Sequence, residues 1–115
     1  MTKVNYIGRF LSTKFFLSTL HQTAQSTLPG TVRIISVSSD GHAKLAPNQG
    51  IILSYMNLTE GYSVWTRYGY SKLANVLHAK ALAKRYPEIL SPPLHPGTVT
   101  NLSQAHFHRR RCIVL

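Results

Sequence analysis

The chain has 115 residues, with 13 Lys and Arg against 3 Asp and Glu, a formal net charge of +10. That length holds one domain at most, although a compact chain of this size can bury about two-thirds of its unfolded surface, so a core is within reach. One cysteine excludes an internal disulfide, and no apolar run approaches the ~18 residues that a membrane span needs.

The basic balance raises nucleic acid, anionic membrane or an acidic ligand as partners. The charges are scattered apart from Arg109-Arg110-Arg111. No basic segment interleaved with aromatics marks a nucleic-acid motif, so no nucleic-acid partner is expected. The first twenty residues are basic, hydroxyl-rich and free of acids, a composition that imitates a mitochondrial presequence. Their apolar spacing favours a core helix instead. The sequons at Asn57 and Asn101 carry no weight without a sign of secretion.

Taken in chain order, the elements begin with a helix over about Asn5 to Gln25, with a broad apolar face of Ile7, Phe10, Leu11, Phe15, Leu17 and Leu20. Leu28-Pro29-Gly30 is a turn signal. Thr31 to Ser38 is short, β-branched and nearly continuously apolar, which is how a buried parallel strand reads. Asp40 to Arg67 reads as a long loop holding at most a short helix; connections of that length are often functional. Tyr68 to Arg85 is the clearest helix, with Leu73, Val76, Leu77 and Ala81 at helical spacing and Pro87 at its end. A second strand belongs near Ile89 to Leu94, against which Pro92 and Pro93 argue, since each lacks a ladder donor. The order helix, strand, loop, helix, strand predicts a piece of α/β architecture.

Tyr68 and Lys72 lie four apart on a helix and so share a face. An ammonium beside a phenol favours the phenolate, and such a tyrosine can give a proton to a carbonyl oxygen or take one from an alcohol. With 6 tyrosines in the chain, the spacing alone is also met by chance as an exposed pair.

The surrounding run, Tyr68-Gly69-Tyr70-Ser71-Lys72-Leu73-Ala74-Asn75-Val76, resembles the active-site helix of the short-chain dehydrogenase/reductase family, nearest to its retinol-dehydrogenase-like and fungal reductase members. Three further blocks match in order: Asn5-Tyr6-Ile7-Gly8-Arg9-Phe10 at a helix start, Arg33 to Ser39 as a strand ending in a serine pair, and His95-Pro96-Gly97-Thr98 as the segment that closes over nicotinamide. The resemblance covers residues 1–103 and implies a partial Rossmann-type domain; residues 104–115 read as a non-homologous basic tail. It implies that Tyr68 is the catalytic acid/base, that Lys72 assists it and bonds the nicotinamide ribose, that Ser39 binds the substrate oxygen, that Asn5 holds a water relaying protons to Lys72, and that Pro96, Gly97 and Thr98 line the cofactor. From the residues alone, Asn5 as a helix cap and the serine pair as a strand end stay open.

The implied cofactor is NAD(P)H, NADP favoured over NAD, and the implied substrate a small alcohol or carbonyl compound. The family's first strand and glycine-rich turn, which seat the cofactor diphosphate, have no counterpart in the sequence. Activity is therefore expected to be impaired, and the alternative is a non-catalytic fragment, or an inactive relic, that pairs with a full-length relative through its two helices as a homo- or heterodimer. After Pro96-Gly97 the register runs one residue short, which puts Thr100 in doubt as a contact. A cytoplasmic location is expected. Cys112-Ile113-Val114-Leu115 fits a C-terminal prenylation pattern, so Cys112 with the upstream arginines would give membrane association instead; a chance ending is the favoured reading.

Overall fold

The computed structural model describes residues 1–52, 61–97 and 113–114. The expected calls on Thr98, Thr100 and Cys112 lie outside the described residues. The chain opens with a π-helical turn, Lys3–Ile7, that runs directly into helix α1, Gly8–Ser26. The helix carries many hydroxyls, and several fold back onto its own carbonyls: Ser12 onto Gly8, Thr23 onto Thr19 and Thr27 onto Thr23. The backbone turns extended at Thr27. Thr31 N then closes a turn onto the Leu28 carbonyl, with Gly30 at a φ of 79°, a conformation that glycine adopts freely.

Strand β1 is Ser36–Val37, and β2 is Pro93–His95. They run parallel, in the register Ser36 to Pro93 and Val37 to Leu94, and an isolated parallel bridge joins Arg33 to Leu90 upstream. The pairing therefore follows the expected strand, although its regular part is shorter than 31–38. The two prolines are accommodated by the alternation of a parallel ladder. The carbonyls of Leu90, Pro92 and Leu94 accept from the amides of Ile34, Ser36 and Ser38. The ring nitrogen of Pro93 thus faces away from β1, and Pro92 forfeits one donor while keeping its acceptor. Strand β3, Ile113–Val114, pairs antiparallel with β2, giving the order β1-β2-β3.

Helix α3, Val64–Arg85, starts one turn earlier than its apolar spacing suggested. Ser63 is the reason: its side chain accepts from the Thr66 amide and caps the first turn. Lys84 and Arg85 sit in the last turn, where cations complement the helix dipole. Between β1 and α3 a short helix α2, Gly41–Lys44, occupies part of the expected loop. The core of Ala24, Val32 and Ile89, with Leu17, Leu20, Ile34 and Tyr86 packed around it, lies between the C-terminal half of α1, the approach to β1 and the segment after α3. Among the described residues no helix is long and apolar enough to cross a membrane. The architecture is that of a partial Rossmann-type α/β domain.

Candidate active site

Helix α3 buries polar side chains as readily as apolar ones: Ser71, Lys72 and Asn75 are buried with Tyr70, Ala74, Val76, Ala79 and Leu82. Buried lysine is rare unless something holds it. Here the ammonium reaches the Val37 carbonyl at 3.4 Å and lies 5.5 Å from the centroid of the Tyr68 ring. Burial, and after it the charge of Arg9, pushes Lys72 below its ordinary value.

Both parallel strands end at one place, and ligands of parallel sheets bind beyond such carboxyl ends. Ser38 and Ser39 follow β1, and Pro96 and Gly97 follow β2. With Tyr68 and Lys72 of α3 these residues line a single cavity of about 380 Å³. Ser38 is spent structurally, its hydroxyl donating to the Lys72 carbonyl at 2.9 Å. Ser39 is half-buried; its hydroxyl donates to Asp40 at 3.1 Å and accepts from the Gly41 amide at 3.2 Å. The hydrogen bond from Lys44, and then that from Ser39, holds the Asp40 carboxyl below its usual range. Gly97 takes a φ of 86°, so the turn past β2 is one that a side chain would strain.

Asn5 stands apart from this cavity. Its side-chain amide donates to Ser71 Oγ at 3.2 Å, and Ser71 in turn donates to the Tyr68 carbonyl at 2.7 Å. The π-helical turn is thereby fastened to α3 one residue before Lys72.

Three contributors were given no role of their own by the sequence reading. His95 lines the cavity, and its Nδ1 is buried with no hydrogen-bond partner among the described residues. Gly69 lets α2 approach: a Cβ there would lie 2.6 Å from Ala46 N and Leu45 C and 2.7 Å from the Gly41 carbonyl. Gly41 in turn sits against the Tyr68 ring, 3.2 Å from a built Cβ to Cε1. A glycine inside a strong helix costs about 1 kcal/mol relative to alanine, and that cost at Gly69 was the available signal of a close backbone approach.

No family model matches the chain, and no solved structure matches it. Curated proteins do. An uncharacterized oxidoreductase of Schizosaccharomyces pombe is 40% identical over 100 residues, covering 84% of this chain and 29% of the relative. A short-chain dehydrogenase/reductase of Aspergillus calidoustus is 38% identical over 114 residues, 89% of this chain and 36% of the relative. Retinol dehydrogenase 11 of Mus musculus is 39% identical over 100 residues, 84% of this chain and 28% of the relative. The chain spans about a third of the length of the curated relatives it matches. Over that segment it belongs to the short-chain dehydrogenase/reductase family.

Proposed function

We propose that the chain carries the proton-transfer side of an NAD(P)-dependent oxidoreductase that interconverts an alcohol and a carbonyl compound. The observation that supports this is the single cavity at the ends of β1 and β2 lined by Ser39, Tyr68, Lys72, Pro96 and Gly97. The nicotinamide end of a cofactor suits these residues: the positive-φ turn at Gly97 exposes backbone, and Lys72 offers a hydroxyl-binding cation.

The bound cofactor would supply or accept hydride. Tyr68 would give its phenolic proton to the carbonyl oxygen in reduction and take the alcohol proton in oxidation. Lys72, one helical turn on, would stabilise the phenolate left behind. Ser39 would donate to the same substrate oxygen once it exchanges its bond to Asp40. Asn5 would act through Ser71, fixing the turn of α3 that carries the pair. Titration of NADPH and NADH fluorescence with the purified chain tests the reading. Saturable binding, retained in Tyr68→Phe while turnover of alcohols and carbonyls is lost, supports it. No binding by a sample shown to be folded sinks it.

A second reading rests on a different observation. Leu11, Phe15 and Phe16 of α1 are 57%, 81% and 55% exposed, and Leu77 of α3 is 45% exposed. These apolar positions would suit pairing with a full-length relative, without catalysis. Co-purification with such a relative and loss of its activity would separate this reading from the first.

A further inference from the structure

His95 ends β2, and its ring joins the wall of the cavity that Ser39, Asp40, Tyr68 and Lys72 also line. Sheet pairing fixes its place. The Leu94 carbonyl, one residue before, accepts from the Ser38 amide at 2.7 Å, and His95 itself stands opposite Ile113 of β3. Of the two ring nitrogens, Nδ1 is buried and meets no hydrogen-bond partner among the described residues. Nε2 is therefore the nitrogen left to face the cavity. A polar group that ends up buried and unmet costs about 1–3 kcal/mol, so a ligand that covers this ring must offer it a partner. The neighbouring side chains do not. The Asp40 carboxylate accepts from Lys44 at 2.7 Å and from the Ser39 hydroxyl at 3.1 Å. Those two hydrogen bonds hold Asp40 below its usual range, and an imidazolium at His95 adds last to the lowering. The ring thus lies within electrostatic reach of the corner made by Ser39 and Asp40.

We propose that His95 is a specificity-determining residue of this cavity, and that its ring hydrogen-bonds a hydroxyl on the carbon next to the reacting one. The substrate class is then an α-hydroxy ketone or aldehyde, and a vicinal diol in the oxidising direction. This deepens the redox reading above and rests on it. The reacting oxygen belongs to Tyr68 and Ser39. Asp40 is the residue after Ser39, so a side chain at that corner meets whatever is attached beside the oxygen that Ser39 holds. A cavity of about 380 Å³ keeps both oxygens within one small molecule. A hydroxyl is the fitting partner, because a neutral imidazole nitrogen either donates or accepts according to its tautomer, and a hydroxyl does both. A carboxylate is the poorer partner, since Asp40 already brings a negative charge to this corner and like charges repel. A plain ketone covers the ring without pairing it, and a site with a polar group to satisfy rejects the analogue that cannot do so.

The probes are acetophenone and 2-hydroxyacetophenone, which differ only by the hydroxyl beside the carbonyl. Each is titrated against the isotope-labelled chain. The Tyr68 ring signals give the affinity and the His95 ring-nitrogen shifts report the contact, so neither cofactor nor turnover is needed. 2-Hydroxyacetophenone is expected to bind about tenfold tighter than acetophenone, the scale of one hydrogen bond, and to move Nε2 more than Nδ1. His95→Phe should erase that preference and leave acetophenone binding in place. His95→Gln, whose amide reaches about as far as Nε2, should restore part of it. Should His95→Phe not fold, the wild-type ratio and the nitrogen shifts decide alone. Equal affinities for the two ketones, with the Tyr68 signals moving, overturn the role of His95 and leave the redox reading standing. A hydroxyl preference that survives His95→Phe does the same. Tyr68 signals that neither ketone moves, in a folded sample, sink both.

Discussion

Ser38 and Lys72 are joined directly: the serine hydroxyl donates to the lysine carbonyl at 2.9 Å, and the two residues are 2% and 8% exposed. The bond ties the end of β1 to the turn of α3 that carries Tyr68 and Lys72, so the cavity and the sheet share one anchor. Ser38→Ala removes it without orphaning the carbonyl, which keeps its helical bond. The expected loss is about 1 kcal/mol, read as a shift in urea midpoint at constant slope. An unchanged midpoint would remove Ser38 from the structural account.

Gly69→Ala drives a methyl into backbone atoms of Leu45, Ala46 and Gly41, which cannot rotate aside as a side-chain tip can. Overpacking of this kind costs typically 1–3 kcal/mol, against which the better helix propensity of alanine returns about 1 kcal/mol. The variant is expected to be destabilised on balance and to displace α2 from the Tyr68 ring. The Gly41 amide resonance reports the displacement, and a stable variant with that resonance unmoved would contradict the close approach.

What the sequence revealed and what it hid divide along physical lines. Tyr68 and Lys72 were legible because four-residue spacing on a helix puts two side chains on one face. The α/β order was legible from a β-branched run between helical periodicities. The early start of α3 was hidden because Ser63 caps through Thr66 and lacks the acidic partner of a capping box. Pro92 and Pro93 argued against β2, because only the ladder's alternation shows that their missing donors cost one bond. The place of Asn5 against Ser71, sixty-six residues away in sequence, is a tertiary contact that no local pattern encodes. The same holds for Arg9 on the Val37 carbonyl.

His78 lies against the rings of Phe10 at 5.2 Å and Tyr6 at 6.0 Å, and burial holds it below its ordinary value. The folded state therefore binds fewer protons than the unfolded one between the depressed value and about 6.5. Stability that is fully present above about pH 6.5 is lost as the pH falls through the folded value. His78→Phe keeps a ring in place and removes the proton site. The stability difference between wild type and variant should grow against the wild type on acidification and level off below the folded value. A difference that stays constant between pH 7 and 5 would refute the assignment.

Lys72 also titrates below its ordinary value, but its window lies on the alkaline side. Burial penalises the ammonium first, and the Arg9 cation adds to the penalty. Between the folded value and about 10.4 the unfolded chain holds the proton that the folded chain has released, so the lysine's contribution improves as the pH rises. Lys72→Met removes the penalty and keeps most of the side-chain volume. At neutral pH the variant is expected to be the more stable protein even as it loses any function the ammonium serves. The gap should narrow as the wild type passes its folded value and lose its pH dependence above about pH 10.4. Arg9→Gln tests the second cause: with the neighbouring charge gone, Lys72 should titrate higher and the narrowing should begin at a higher pH. Burial alone accounts for the shift if Arg9→Gln leaves the onset where it was.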